Sequence, residues 1–510
     1  MGFAPIRVGP SNLFAFLVSV IRGVVMNEDR RVSQVVEVSP LTVEKRGIDY
    51  VPPNERHGRP NQLLTFWGAN NIQLVAFVYG AIAVSLGLDL KWSIATILIG
   101  TLFGGLFMAY HSVQGPRLGI PQMIQSRAQF GFYGAILPLV VVVAFYIAAF
   151  VLGIVVGGQA LSVLAHTSPN LSMVISAALM MVATWLGYNF FHLIGRVSSV
   201  LSIIVFTFLT VKLLTMLPGH SVPDAHITAS SVVLSISIYA AWQITWAPYV
   251  SDYSRYLPEK TSTSTTFWYT YIGSAVGACW VMMLGAVAAT IATSATVSAN
   301  GADYASHLLL PSAKWIILLI LVLGIYASNY ENLYGSFLTL VGALSPTGTF
   351  APPKLLRICF TTVVAAIATL LAITASAHFL TFITNVFVLS LCALVPWTAI
   401  NLTDYFLIRH GRYVTEEFFK VNGIYGRFNR AAVAIFVVTI LIEIPFLSTA
   451  GYTGPIAKWL GGADISWILG LAIAAGLYYL VARRMTSTSE LSVTPTTSSS
   501  GAADAAGSDS

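Results

Sequence analysis

Residues 115–134, GPRLGIPQMIQSRAQFGFYG, lie between two apolar runs and carry Arg117 and Arg127, while the nearest carboxylates are Asp89 and Asp224. A short connector charged with one sign only is what the inner face of a membrane protein retains, because Lys and Arg resist translocation. The rest of the chain agrees. Of its 510 residues 56% are hydrophobic and 9% charged, whereas an ordinary soluble domain is about a quarter charged. Such a surface cannot be covered in water. Apolar stretches of about 20 residues recur, which defines a polytopic helical membrane protein. A transmembrane barrel would show short alternating segments instead.

Spans are expected near 62–88, 92–112, 134–163, 171–191, 196–216, 230–250, 267–293, 313–342, 355–376, 378–408, 431–449 and 465–482, with a split at Gly195 and a joint at His378. With the N-terminus in the cytoplasm and alternating spans, 22 of the 26 Lys and Arg fall on the cytoplasmic side. Only Lys91, Lys212, Lys314 and Lys458 fall outside or at outer helix ends. This bias supports twelve spans with both termini cytoplasmic, in the plasma membrane. Residues 1–60 form an N-terminal cytoplasmic segment, 61–484 the membrane domain, and 485–510 a Ser/Thr/Ala/Gly-rich tail expected to be disordered. The piece SNLFAFLVSVIRGVV is too short to span and shows no clear cleavage site, so it does not read as a signal peptide. Translation is expected to begin at Met26, where MNEDRRVSQ reads as a polar cytoplasmic start. Cys279, Cys359 and Cys392 share no motif and read as small core residues. A pI near 9 reflects the topology-setting loops rather than nucleic-acid binding.

Polar groups at membrane depth are costly, so they should face a cavity or a partner helix. The first span, TFWGANNIQLVAFVYGAIAVSLG, places Asn70, Asn71 and Gln73 near Gly68 and Gly80. These amides suit a planar heterocycle with alternating N–H and C=O groups, or else they join neighbouring helices. The sixth, SISIYAAWQITWAPYVSDYSRYLP, sets Trp242 and Trp246 four residues apart beside Gln243, and Pro248 weakens the helix there. An indole face with an amide suits stacking and edge recognition of a flat ring; Trp246 reads equally as part of an interfacial belt. In the eighth, LILVLGIYASNYENLYGSFLTL, Ser328, Glu331, Asn332 and Gly335 share a stripe with Asn329 close by. Glu331 is the most central carboxylate of the chain, a proton carrier or ligand anchor, or else a structural hydrogen-bonding group. Asp252, Asp404 and Glu443 fall near helix ends, and His192 and His378 read as interfacial. No phosphate-binding loop, zinc spacing or nucleophile elbow is visible, so neither an enzyme nor a cofactor is expected.

The opening stretch, with FWGANN upstream and YVSDYSRYLP downstream, resembles the nucleobase–cation symporter family, purine–cytosine permease branch. SNYENLYG and NLTDYFLIR extend the resemblance over roughly residues 62–410. It implies a LeuT-type fold of two inverted five-helix repeats, about 62–216 and 230–408, with extra helices at 431–449 and 465–482. It also implies import of a purine, pyrimidine, allantoin- or hydantoin-like heterocycle with a cation by alternating access. Such folds break the first helix of each repeat at the midplane, here the first and sixth spans. The connector glycines then serve tight turns and its glutamines tie the loop to helix ends.

By the resemblance, Asn332 matches the family's eighth-span substrate asparagine, and Trp242 its sixth-span aromatic, with Gln243 the alternative by strict spacing from Asp252. Many members stack substrate on a third-span tryptophan with an amide one turn later, but Ala149 and Gly153 stand at those positions. Tyr146 or Phe150 is therefore expected to supply the stacking face. Sodium-coupled members use first-span carbonyls with two adjacent eighth-span hydroxyls; Ala327 followed by Ser328 offers one, so any sodium site there is weak. With Glu331 nearby, proton coupling is favoured. An uncoupled facilitator, a ligand sensor and a membrane enzyme are the competing classes, and the last lacks catalytic loops.

Overall fold

The computed structural model describes residues 48–485 except Gly187, Pro223 and 345–353, and leaves out the side chains at 186–194, 196, 344 and 485. The N-terminal segment up to residue 47 with the expected start at Met26, the tail from 486, and the His192 side chain thus lie outside the described residues. The described chain is almost entirely helical. A first span bent by 61° comprises α1 (Asn61–Asn71) and α2 (Leu74–Ser85), followed by α3 (Leu90–Ser112). The connector holds α4 (Gln114–Leu118) and α5 (Gln122–Phe130). Then come α6 (Ile136–Ala165), α7 (Pro169–Leu186) and α8 (Tyr188–Met216). The second half begins with α9 (Ala229–Ile244) and α10 (Ala247–Ser254), a second broken span, and continues through α11 (Thr263–Ile291), α12 (Ser294–Leu309), α13 (Lys314–Leu344), α14 (Lys354–Ala375) and α15 (Phe379–Leu402). α16 (Arg430–Glu443), the short α17 (Pro455–Trp459) and α18 (Ser466–Met485) close the chain.

Every expected span is a helix, and the 3₁₀ turn Ser376–His378 makes the joint foreseen at His378. By length and hydropathy, seven described helical stretches and the bent α1–α2 pair suffice to cross a bilayer; one of the seven is the 55-residue run Lys354–Ile408. α9 and α16 are too short to qualify alone, the former because its span is broken. One boundary differs: Gly195, where the fourth and fifth spans were expected to divide, sits inside α8. A single glycine costs a helix only about 1 kcal/mol, which neighbours readily offset. Leu370, Leu355, Phe208 and Val276 are among many large apolar side chains left exposed on the outer wall, the surface that lipid tails would cover.

Where no hydrophobic force drives helices together, close backbone approach must. A Cβ at Gly80 would overlap the Met282 carbonyl, and one at Gly285 the Phe77 carbonyl, so α2 and α11 touch backbone to backbone. Gly285→Ala is therefore expected to force the pair apart and destabilise the protein by about 1–3 kcal/mol. Thermal unfolding of detergent-purified protein would read this; an unchanged midpoint would mean the contact is loose.

The connector departs from a simple turn-rich loop. Gly119, at φ +64°, does make a left-handed turn, but α4 and α5 are buried at the end of the molecule where Arg56, Arg127 and Arg255 gather. Buried polar groups must be paired. Gln114 donates to Asn401 Oδ1 at 2.7 Å, Gln129 to Asp404 Oδ2 at 2.9 Å, and Gln122 takes the Ser251 hydroxyl. Arg127 donates to the carbonyls of Gly342 (2.6 Å) and Phe418 (3.0 Å). The glutamines do tie the connector to helix ends, including α10, the inner half of the sixth span. At the opposite end α12, absent from the sequence reading because it is short and rich in Ser, Ala and Thr, kinks at Asn300. Its Asn300 side chain donates to the Gln159 carbonyl at 2.8 Å.

Candidate binding cavity

The site begins at the two helix breaks. Gln73 is extended (φ −143°, ψ 161°) and interrupts the first span after Ile72. Such a break frees carbonyls that a continuous helix would satisfy. Gln73 answers one itself, its Nε2 donating to the Asn70 carbonyl at 2.8 Å. The sixth span breaks at Thr245–Trp246, where Pro248 opens α10 and supplies no amide hydrogen.

Between the breaks lies a cavity of about 520 Å³ including its mouth. Its aromatic walls are Phe145, Trp242, Trp246, Tyr249 and Phe387. Its polar groups are Gln73, Thr245, Ser328, Asn329 and Asn332. None of its lining side chains is charged. A larger space of about 1790 Å³ opens beside it toward the arginine-bearing end, lined by Arg59, Asn70, Gln73, Ser328 and Glu331 among others. Gln73 and Ser328 border both, and the Ser328 hydroxyl donates to Gln73 Oε1 at 3.0 Å, so this pair stands at the boundary. A third space of about 730 Å³, under the connector, is lined by Asp252, Tyr253, Arg255 and Glu331, and shares only Tyr249 with the cavity.

The structure brings Gln73, Trp242, Ser328, Asn329 and Asn332 together and leaves others out. Asn71 and Gln243 are fully buried away from the cavity. Asn71 accepts from Trp242 Nε1 at 2.7 Å and donates to Ser274 at 3.0 Å, and Ser274 donates to Gln243 Oε1 at 2.6 Å. They brace the two broken spans against α11, the helix-joining role amides also serve. The bond to Asn71 draws the Trp242 N–H away from the cavity that its ring lines. Asn70 lines the larger space. Tyr146 and Phe150 are buried and off the lining: Tyr146 packs on Tyr249 at 4.2 Å between ring centroids, and Phe150 contributes its carbonyl to Asn329 at 3.0 Å. The aromatic lining of the cavity comes from Trp242, Trp246 and Tyr249 of the sixth span and from Phe145 and Phe387. Trp246 lines this wall too, as its spacing from Trp242 allowed. Tyr249 escaped notice although it follows Pro248 directly, and its hydroxyl donates to Asn332 Oδ1. Phe387 carried no signal, being one apolar residue in an apolar run. Glu331 is outside the cavity, on the larger space, where it accepts a hydrogen bond from Tyr253.

An aromatic and amide-lined cavity between two broken helices of a membrane-embedded bundle defines a permease with a LeuT-type fold. The comparisons with known proteins agree. Residues 50–470 match the model of the family described as permeases for cytosine/purines, uracil, thiamine, allantoin, and the chain belongs to that family. It is 41% identical over 444 residues, covering 86% of this chain and 96% of the other, to the "Putative purine-cytosine permease YxlA" of Bacillus subtilis (strain 168). To the purine-cytosine permease fcyB of Emericella nidulans it is 29% identical, over 86% and 88% of the two chains. The closed structure of Mhp1, a nucleobase-cation-symport-1 family transporter with bromovinylhydantoin bound, superposes with a TM-score of 0.70 at 17% identity, over 87% of this chain and 96% of that one.

Proposed function

We propose that the protein imports an uncharged nucleobase or a closely related heterocycle, coupled to protons. The observation that carries this reading is the cavity wall: stacking faces and amide edges with no charge. A buried ionic ligand would need a counter-charge, so nucleotides and carboxylated bases are poorly matched. The names of the relatives and of the family point the same way. For orientation, the positive-inside count puts the arginine-bearing end in the cytoplasm, which makes the 1790 Å³ space an inward vestibule.

Proton coupling is supported by what Ser328 and Ala327 lack. The Ser328 hydroxyl is bonded to Gln73 and to the Ile325 carbonyl at 3.1 Å, and Ala327 brings no side-chain oxygen. Sodium favours several hard oxygen ligands, whereas Glu331 in the vestibule has a carboxylate that binds and releases a proton. Uptake of labelled adenine, guanine, hypoxanthine, cytosine and uracil in cells lacking their own permeases tests both parts. Uncharged bases are expected to compete with one another and orotate is not. Uptake should persist without Na⁺ while a pH gradient is held. Loss of uptake on removing Na⁺ alone would refute the proton reading, and competition by anions alone would refute the substrate class.

A further inference from the structure

We propose that Gly153 is a specificity-determining position and Asn329 a positioning residue, which together fix how Asn332 meets the substrate; this rests on the reading of the cavity as the substrate site. α6 passes the cavity with no side chain at Gly153, and a Cβ there would overlap the amide group of Asn329. Asn329 fills that notch and is only 4% exposed. Its amide nitrogen is committed away from the cavity, to the Phe150 carbonyl at 3.0 Å and the Met180 sulfur at 3.1 Å. Its oxygen accepts from Asn332 Nδ2 at 2.9 Å, and the Asn332 oxygen accepts from the Tyr249 hydroxyl. Asn332 is thus clamped at both ends of its amide.

An amide carries two N–H donors and two acceptor lone pairs. The clamp uses one of each, which leaves Asn332 one N–H and one lone pair, in a fixed order, to present to a ligand. That edge matches a ring with an adjacent acceptor and donor, the lactam or amidine edge of an uncharged heterocycle. Without Asn329 the amide of Asn332 is free to turn, and the order of donor and acceptor is lost. The third-span amide that many family members carry is absent, and the eighth span supplies the polar group from the other side of the same gap.

The test uses the detergent-purified full chain and the five labelled bases, with Gly153→Ala and Asn329→Ala made alone and in an Asn332→Ala background, each checked for folding by thermal unfolding. Each single variant is expected to weaken the tightest base by about tenfold, the worth of one to two hydrogen bonds, and to change the rank order of the five. In the Asn332→Ala background the same changes should cost less than about twofold, because a residue acting through Asn332 has nothing left to position. Equal losses in both backgrounds, or uniform weakening with the rank order kept, overturn the proposal. If Asn332→Ala binds too weakly for the cycle, the rank order decides alone. A wild-type protein that binds none of the five overturns the substrate reading and this proposal with it; wild-type binding with additive losses overturns the proposal only.

Discussion

Glu331→Gln is expected to abolish accumulation of substrate while leaving exchange of labelled for unlabelled substrate largely intact. One proton carried with each substrate down a gradient of about one pH unit is worth about 1.4 kcal/mol, enough for roughly tenfold accumulation. Gln keeps the size of the side chain and still accepts from Tyr253, but it does not titrate. The internal-to-external ratio should therefore fall from about ten to about one. The sign is defined: with import, accumulation is fullest when the outside is acidic and fades as external pH rises to the internal value. Substrate affinity should change little, since Glu331 lines the vestibule and not the cavity. Proteoliposomes with an imposed pH step give both measurements. Equal loss of exchange and net flux would make Glu331 a structural residue, and unchanged accumulation would place coupling elsewhere.

Asn332→Ala should weaken substrate binding by roughly a hundredfold, about 2.7 kcal/mol. The loss has two parts. Hydrogen bonds from the amide edge to substrate are worth about 0.5–1.5 kcal/mol each, and polar groups left unpaired in a closed site cost about 1–3 kcal/mol more. Here the orphans are the Tyr249 hydroxyl and Asn329 Oδ1, both bonded to Asn332 in the intact protein. Membrane insertion should be unaffected, because the side chain lines the cavity. Quenching of tryptophan fluorescence by substrate suits the measurement, with Trp242 and Trp246 both in the wall. Binding within about threefold of wild type would remove Asn332 from the substrate site.

Much of this was visible along the chain. Apolar runs and the distribution of Lys and Arg locate the helices, since bilayer thickness sets a length that hydropathy alone reveals. Gly, Pro and amide clusters mark both broken spans, because only they relieve or tolerate an interrupted ladder. Of the eighth-span stripe, Ser328 and Asn332 line the cavity with Asn329 beside them, whereas Glu331 and Gly335 line the neighbouring spaces. The amides of the breaks divided less predictably: Gln73 reached the cavity, while Asn71, two residues away, turned to Ser274 on α11. The connector glutamines were legible as ties, yet their burial in two short helices was not, since their sequence is polar and only the surrounding helix ends satisfy it.

The sequence by itself determined a polytopic helical permease, most of its helices, the breaks in the first and sixth spans and the family to which it belongs. Tertiary structure alone decided which polar side chains face open space. Helical period tells which residues share a face, but not which neighbour that face meets. That choice was made by helices distant in sequence: α11, whose glycines admit the first span closely enough for Ser274 to capture Asn71, and α6, whose missing side chain at Gly153 seats Asn329.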